Sequence, residues 1–508
     1  MPRIANLEIQ PIIGLEIHVQ LATRTKMFCA CAAEFGAEPN TRACPVCLGL
    51  PGALPVVNAQ AIELAIRAGA ALNCSIARLT KWDRKSYYYP DLPKNYQISQ
   101  FDLPIAERGW FEFSREGETR RVRIRRAHLE EDAGKNVHDF PGFTAVDLNR
   151  AGTPLLEIVT EPDIHCAEDA REFAIALQRE IAYLGIGEAN MQKGQMRFEP
   201  NINLEIRDGE QLAKTPIVEV KNLNSFRSLH GAIEFEIRRQ LEEWQERGVT
   251  GARGNKSNRG WDDVRMVTVA QREKEEADDY RYFPDPDLPP VTPDARRVAE
   301  IVGTMPEPSG VRTARFIREY QIPAKDAPAL VDDRATADLL DAAAALGVDR
   351  ATLARQFLSF WQMQANARQI SIAGLRLPAG VFAELAQMSS SGRINATAAA
   401  TIAGELVRRS DTAAVKAGEP LSVSSLAAEL GLLQTRDSDQ IAGWVDAAFA
   451  ANAKAVQDAL ANPKKLIAAR GFLAGQVMKA SGGKADPKIA GELIEQKLRA
   501  LAGDAARS

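Results

Sequence analysis

Beyond His230 the chain contains no cysteine and no histidine, although six cysteines and five histidines precede that point. Residues that bind metals or titrate near neutral pH are confined to the N-terminal part, and chemistry is expected there. Aromatic residues are scarce, 32 in 508, and only nine lie after residue 300, where alanine dominates. No uninterrupted apolar run approaches the ~18 residues that a membrane span requires, so no membrane association is expected. Neither sign of charge prevails: 63 basic against 67 acidic side chains give a net charge of −4. Such balance excludes a histone-like coat for polyanions but not a local basic footprint. The opening, MPRIANLEIQPIIGLEIHVQ, lacks a basic segment followed by a long apolar core, so no secretory signal is expected. The chain reads as cytoplasmic, where cysteines stay reduced and bind metal or fill cores.

What is present suits two to four domains at about 150 residues each. Residues 11–20 are isoleucine-rich and alternate imperfectly, which predicts a strand. Helical spacing predicts a helix over 61–73 and two more over 166–185 and 225–247. Short strands are expected at 120–128, 144–149, 154–160, 200–206 and 215–221. Strands and helices without regular alternation indicate an α+β domain with a mostly antiparallel sheet. The Gly/Asn/Arg-rich stretch 248–261 reads as an exposed hairpin loop. It is not a phosphate loop, because Asn255 intervenes before Lys256 where a Walker motif needs lysine directly after its glycine. Proline-dense 284–293 closes the β-rich region. From 294 onward nearly everything has helical periodicity, and no 20–50-residue repeat is found.

Four groups of residues can carry chemistry. Cys29-x-Cys31 and Cys44-x-x-Cys47 offer four soft ligands, the set zinc takes in closed structural sites; the alternative is buried or redox-paired cysteines. Glu16 and His18 lie at i, i+2 on the expected strand and so share a face. Glu130, Glu131 and Asp132 form an acidic run, and Glu157 sits inside apolar LLEIV, where a carboxylate must be paired or bind a metal. Hard oxygen ligands of this kind suit magnesium, while core hydrogen bonds or arginines would satisfy them equally. The segment DRKSYYYPDLPKNYQ, 83–97, interleaves lysines with tyrosines and reads either as a base-stacking surface or as a packed aromatic edge; 278–284 (DDYRYFP) is similar to it. Finally, 463–499 carries eight basic residues against three acidic ones, enough to meet RNA backbone or simply to solvate a helix face.

Taken in order, IIGLEIHVQL, FGAEPNT, PGALPVVN, DRKSYYYPDLPKNYQISQFD, HLEEDAGK, VDLNRAGTPLLEIVTEPD, VEVKNLNSF, DDYRYFPDPDLPP and GFLAGQVMKASGGKADP resemble the B subunits of bacterial aspartyl/glutamyl-tRNA amidotransferases, from about residue 10 to 500. The resemblance implies a glutamine-synthetase-like cradle domain over 1–295, a helical domain over 296–425 and a small all-α tail, 426–508, that binds tRNA. It implies a heterotrimer completed by an amidase, the A subunit, and by the small C subunit. ATP phosphorylates the side-chain carboxylate of Glu-tRNA(Gln) or Asp-tRNA(Asn), and ammonia channelled from the amidase displaces phosphate. In that scheme His18, Glu131 and Glu157 hold magnesium, with Glu16 near a second ion. Glu199, a further magnesium ligand in that scheme, stands where the family commonly has aspartate in this acidic site. Lys85 and Lys94 line the active-site wall or the channel, Lys85 also serving catalysis. Cys29, Cys31, Cys44 and Cys47 match the zinc-bearing members, and Lys464, Lys465, Lys479 and Lys484 are candidates for tRNA contact.

The chain departs from the family pattern in two places. Over Gly194–Asn203 (GQMRFEPNIN), Glu199 adds a methylene to the usual aspartate and Pro200 stiffens the strand. Around 269–276 only Arg272 survives of a common methionine-arginine pair. Two other readings stay open at this stage: a glutamine-synthetase-like ligase acting on a free small molecule, and a non-catalytic zinc-bearing RNA-binding scaffold.

Overall fold

Strict alternation shapes the N-terminal strand Leu7–Gln20: Ile9, Ile13, Leu15, Ile17 and Val19 are buried on one face, while Glu16, His18 and Gln20 line the other. In this computed structural model, which describes residues 3–4, 7–138, 140–251, 256–271, 280–410, 422–461 and 466–505, that strand is central to an 11-stranded sheet. Its neighbours are Pro154–Thr160 on one side and Met196–Asp208 on the other, both antiparallel. Beyond Pro154–Thr160 come Glu118–Glu131 and Ala106–Arg115; beyond Met196–Asp208 come Ile217–Lys221, Lys256–Asp262 and Val267–Ala270.

The apolar face of this sheet is covered by the helices Ala167–Tyr183 and Phe226–Arg247. Phe173 meets Phe111 and Phe113 edge-on at 5.8 and 5.9 Å. Ile237, Leu241 and Trp244 pack on Ile9, Leu204 and Ile206. The polar face is thereby left for the site. Close approach is needed where the chain leaves the first of these helices. A Cβ on Gly187 would lie 2.5 Å from the Gln20 carbonyl oxygen, at the end of the strand that carries His18. Gly187→Ala should destabilise the N-terminal unit by about 1–3 kcal/mol, read as a lowered urea midpoint.

The sheet is predominantly antiparallel, as its irregular strand–helix order predicts, and a helical C-terminal region follows. One expectation is corrected. Residues 256–261 are not loop but belong to the strand Lys256–Asp262, while 252–255 lie outside the described residues. This strand pairs parallel with Ile217–Lys221, the two being joined by the helix Phe226–Arg247, since parallel neighbours require a crossover connection. Its glycine and asparagine conceal strand character because burial of Asn258, Gly260 and Trp261, not propensity, decides the matter. The strand Ala106–Arg115 was not anticipated.

The chain divides into two units, Met1–Gly310 and Val311–Ser508. The second is helical. One of its cores gathers Phe357, Trp361 and Phe382, with the Trp361 and Phe382 rings 4.6 Å apart. A π-helical turn, Phe357–Trp361, lies between the α-helical segments Arg350–Gln356 and Gln362–Asn366. A separate apolar cluster nearer the C-terminus includes Ile441, Val445, Leu473, Val477, Ile494 and Leu498. Among the described residues no helix is long and apolar enough to cross a membrane.

Candidate active site

Strand register assembles the site. Glu157 lies directly opposite His18 on one side and His128 on the other, so all three share the polar face, as does Glu130 two residues beyond His128. His18 Nε2 is 3.4 Å from Glu157 Oε2 and 3.5 Å from Glu130 Oε1. His128 Nε2 stands 3.7 and 3.8 Å from the same two carboxylates. Burial works against a charged His18, but the Glu157 hydrogen bond and charge, with Glu130 and Glu199 beyond, outweigh it and raise His18 to about 9. Burial pushes His128 down to about 4. Burial and the neighbouring Glu157 push Glu130 up to about 7. Glu157 is also buried, yet His128, His18 and Lys85 hold it well below the usual carboxylate range.

The structure brings His18 and Glu157 together but not Glu131. The carboxylate that completes their group is Glu130. Adjacent strand residues point to opposite faces, and Glu131 turns to the other side. There its Oε1 accepts from the Ile98 amide at 2.9 Å and from the Lys94 ammonium. Lys94 and Glu131 thus form a buried ion pair away from His18. In the sequence the i, i+2 spacing puts Glu130 on the same face as His128, but which face meets His18 is set by the register of the three strands.

A second group lies on the same face. Glu199 is directly opposite Glu16, and Asn201 opposite Glu219. One oxygen each from Glu16, Glu199 and Glu219 lie within 4.8 Å of one another. Glu219, Lys221, Lys256 and Arg197 were missed at the sequence level; the alternation of VEVK marks Glu219 and Lys221 as sharing a face. Arg197 donates to Asp132 at 3.1 Å, which also accepts from Gln20 at 3.0 Å.

Both groups line one cleft of about 310 Å³, which adjoins a second cavity of about 270 Å³ also bounded by Glu16, Lys85, Glu130 and Glu157. Lys85 is carried by a small separate sheet, Asp83–Ser86 with Tyr96–Ser99 and Phe283–Pro284. That sheet brings the two aromatic segments together: Phe101 stacks on Tyr282 at 4.2 Å, and the Lys85 ammonium lies 4.7 Å from the Tyr280 ring centre. Burial works against the Lys85 charge, but Tyr282, Glu130 and Glu157 outweigh it and raise its pKa. Arg272 lies outside the described residues.

The four cysteines of the pattern converge, one sulfur each within 4.8 Å of the others. The Cys29 thiol beside Cys47, with the Cys44 amide and Lys26, draws Cys47 down to about 4 despite partial burial. Lys26 is fully buried and 3.7 Å from the Cys47 sulfur. A thiolate among three further sulfurs is a donor set compatible with structural zinc. In the second unit Lys479 and Lys484 are exposed on either side of the Gly482–Gly483 turn; Lys464 and Lys465 lie outside the described residues.

Residues 11–299 match the GatB/GatE catalytic domain and residues 338–498 the GatB domain. The chain is 43 % identical over 501 residues to a protein of Thermomicrobium roseum, covering 97 % of this chain and 99 % of the relative. It is 42 % identical over 501 residues to one of Rhodopirellula baltica, covering 96 % of each. Over 498 residues it is 40 % identical to one of Carboxydothermus hydrogenoformans, covering 97 % of this chain and all of the relative. Each of these is named as the B subunit of an aspartyl/glutamyl-tRNA(Asn/Gln) amidotransferase. A catalytic-domain match over more than half the chain, joined to full-length similarity, makes this protein a member of the GatB/GatE family of amidotransferase B subunits.

Proposed function

We propose that this chain is the kinase and transamidase subunit of a glutamine-hydrolysing tRNA amidotransferase, acting on the side-chain carboxylate of Glu-tRNA(Gln), Asp-tRNA(Asn) or both. The observation that carries the reading is the cleft in which His18, Glu130 and Glu157 face the Lys85 cation. A carboxylate attacking a phosphoryl group brings anion to anion, so catalysis rests on positioning and on concentrated positive charge. Two carboxylates and a histidine, with the Nδ1 atoms of His18 and His128 buried and unpartnered, suit a hard cation. Magnesium held by His18, Glu130 and Glu157 would supply charge neutralisation at the phosphates of ATP. Lys85 adds fixed positive charge that burial keeps from being screened. In the first step the substrate carboxylate oxygen bonds to the terminal phosphorus and ADP departs. In the second, ammonia bonds to the acyl carbon, the acyl C–O bond breaks, and the proton shed by nitrogen leaves on the phosphate. The small sheet carrying Lys85 stands over the cleft and limits the access of water to the acyl phosphate.

In this reading ammonia arrives from an amidase, the A subunit of a cytoplasmic heterotrimer that the small C subunit completes, and Lys94 lies along its route. The cysteine quartet holds zinc. The 426–508 tail meets tRNA, a role supported by exposed Lys479 and Lys484.

The purified heterotrimer should convert mischarged Glu-tRNA(Gln) or Asp-tRNA(Asn) to the amide with ATP and glutamine, followed by chromatography of the released amino acid. Ammonium chloride should replace glutamine without loss of ATP dependence. No conversion of either tRNA under both nitrogen sources would overturn the proposal.

A further inference from the structure

The Glu16–Glu199–Glu219 group differs from the His18 group in one respect: it already holds cations. The Lys256 ammonium is 2.9 Å from Glu219 and 3.3 Å from Glu16. The Lys221 ammonium lies 3.0 Å from Glu199 and 3.1 Å from Glu219. Glu16 Oε1 accepts in addition from Asn201 at 3.0 Å. Among the described residues two ammonium groups thus lie within ion-pair distance of these three carboxylates. Among the described residues no lysine or arginine lies within ion-pair distance of Glu130 or Glu157.

A divalent ion bound by these oxygens at about 2.1 Å would sit within a few ångströms of two ammonium groups and meet strong like-charge repulsion. The Lys256 backbone is set opposite Ile217 in the parallel strand pair, which keeps the root of the side chain beside the group whatever rotamer it takes. The longer side chain at Glu199 has a matching consequence: it reaches Lys221. The donor set therefore does not fit the second metal ion that the family resemblance implies for Glu16 and Glu199.

We infer that Lys256, with Lys221, is the resident cation of this group, so that the active site takes a single divalent ion, on the His18 side. Lys256 then acts as a positioning residue, holding Glu16 and Glu219 together where a second metal would otherwise do so. The inference rests on the reading of the cleft as a phosphoryl-transfer site.

The test is a manganese titration of the zinc-loaded, full-length chain in its purified complex, read by electron paramagnetic resonance of free Mn²⁺. Wild type should bind one ion tightly. Lys256→Gln should bind two, the second at least about tenfold more tightly than wild type does, and adding Glu219→Gln to that variant should remove it. Lys256→Arg, which keeps the charge, should remain at one. Retention of the first ion in every variant reports that the cleft is folded. Two ions in wild type, or one in Lys256→Gln, would overturn the assignment. No ion in wild type would overturn the phosphoryl-transfer reading itself, and this inference with it.

Discussion

Replacing Glu130 by glutamine in the assembled enzyme should lower the rate of amide formation at least about a thousandfold, some 4 kcal/mol of transition-state stabilisation. It should also abolish tight manganese binding. Among the described residues Glu130 contributes one of two carboxylates within ion-pair distance of His18 Nε2, and the amide keeps its shape while removing its negative charge. The control is its neighbour. Glu131→Gln breaks the buried Lys94 pair, which should cost about 3–5 kcal/mol of stability while manganese binding persists. Titration calorimetry and chemical unfolding of the two variants separate the cases. Manganese binding lost in Glu131→Gln and retained in Glu130→Gln would return the ligand role to Glu131.

The second large effect is expected at the cysteine quartet. Chelation of zinc, or Cys47→Ser, should lower the midpoint of thermal unfolding of the N-terminal unit by about 10 °C or more. Elemental analysis should find one zinc per chain before treatment and none after. The reason lies beneath the knuckle. Lys26 is buried with its ammonium on the Arg42 carbonyl, at 2.6 Å, and the Leu148 carbonyl, at 3.3 Å. Asn40 ties the same loop to the Val146 carbonyl and the Leu148 amide. Phe35, Leu54 and Val56 of this segment are exposed, so metal–sulfur bonds would supply what a core does not. An unchanged midpoint after complete removal of zinc would show that the loop is held by its hydrogen bonds alone.

Much of the site could be read in the sequence because strands follow a two-residue period. Glu16 and His18 were placed on one face by that rule, and Glu157 stood out as a charge inside an apolar run. The fold class followed from the order of elements. The errors have physical causes. Of the consecutive Glu130 and Glu131, only pairing register decides which faces His18, and register depends on strands far apart in sequence. Glu219 and Lys221 join the cleft on a strand paired with distant Met196–Asp208, and Lys256 reaches Glu16 and Glu219 from a parallel neighbour that composition conceals, since Asn258 and Gly260 suit a loop as well as a strand. The family resemblance gave Glu131 a metal role, whereas the carboxylate that lies beside His18 and Glu157 is that of Glu130.

The central position of the first long strand has a consequence for the timing of biosynthesis. Apart from a short local pairing of Leu7 and Glu8 with Arg3–Ile4, its partners in the sheet are residues 154–160 and 196–208, so nearly all of its pairing is long-range. At about 5–20 residues per second of translation, the Leu7–Gln20 segment leaves the ribosome roughly 10–40 s before its last partner does. Throughout that interval, and until Phe226–Arg247 follows, Ile9 lacks the Ile237, Leu241 and Trp244 side chains that cover it. The nascent chain is thus most exposed to aggregation and most in need of chaperone protection before residue 247 is made, and the helical second unit emerges only after that period has closed.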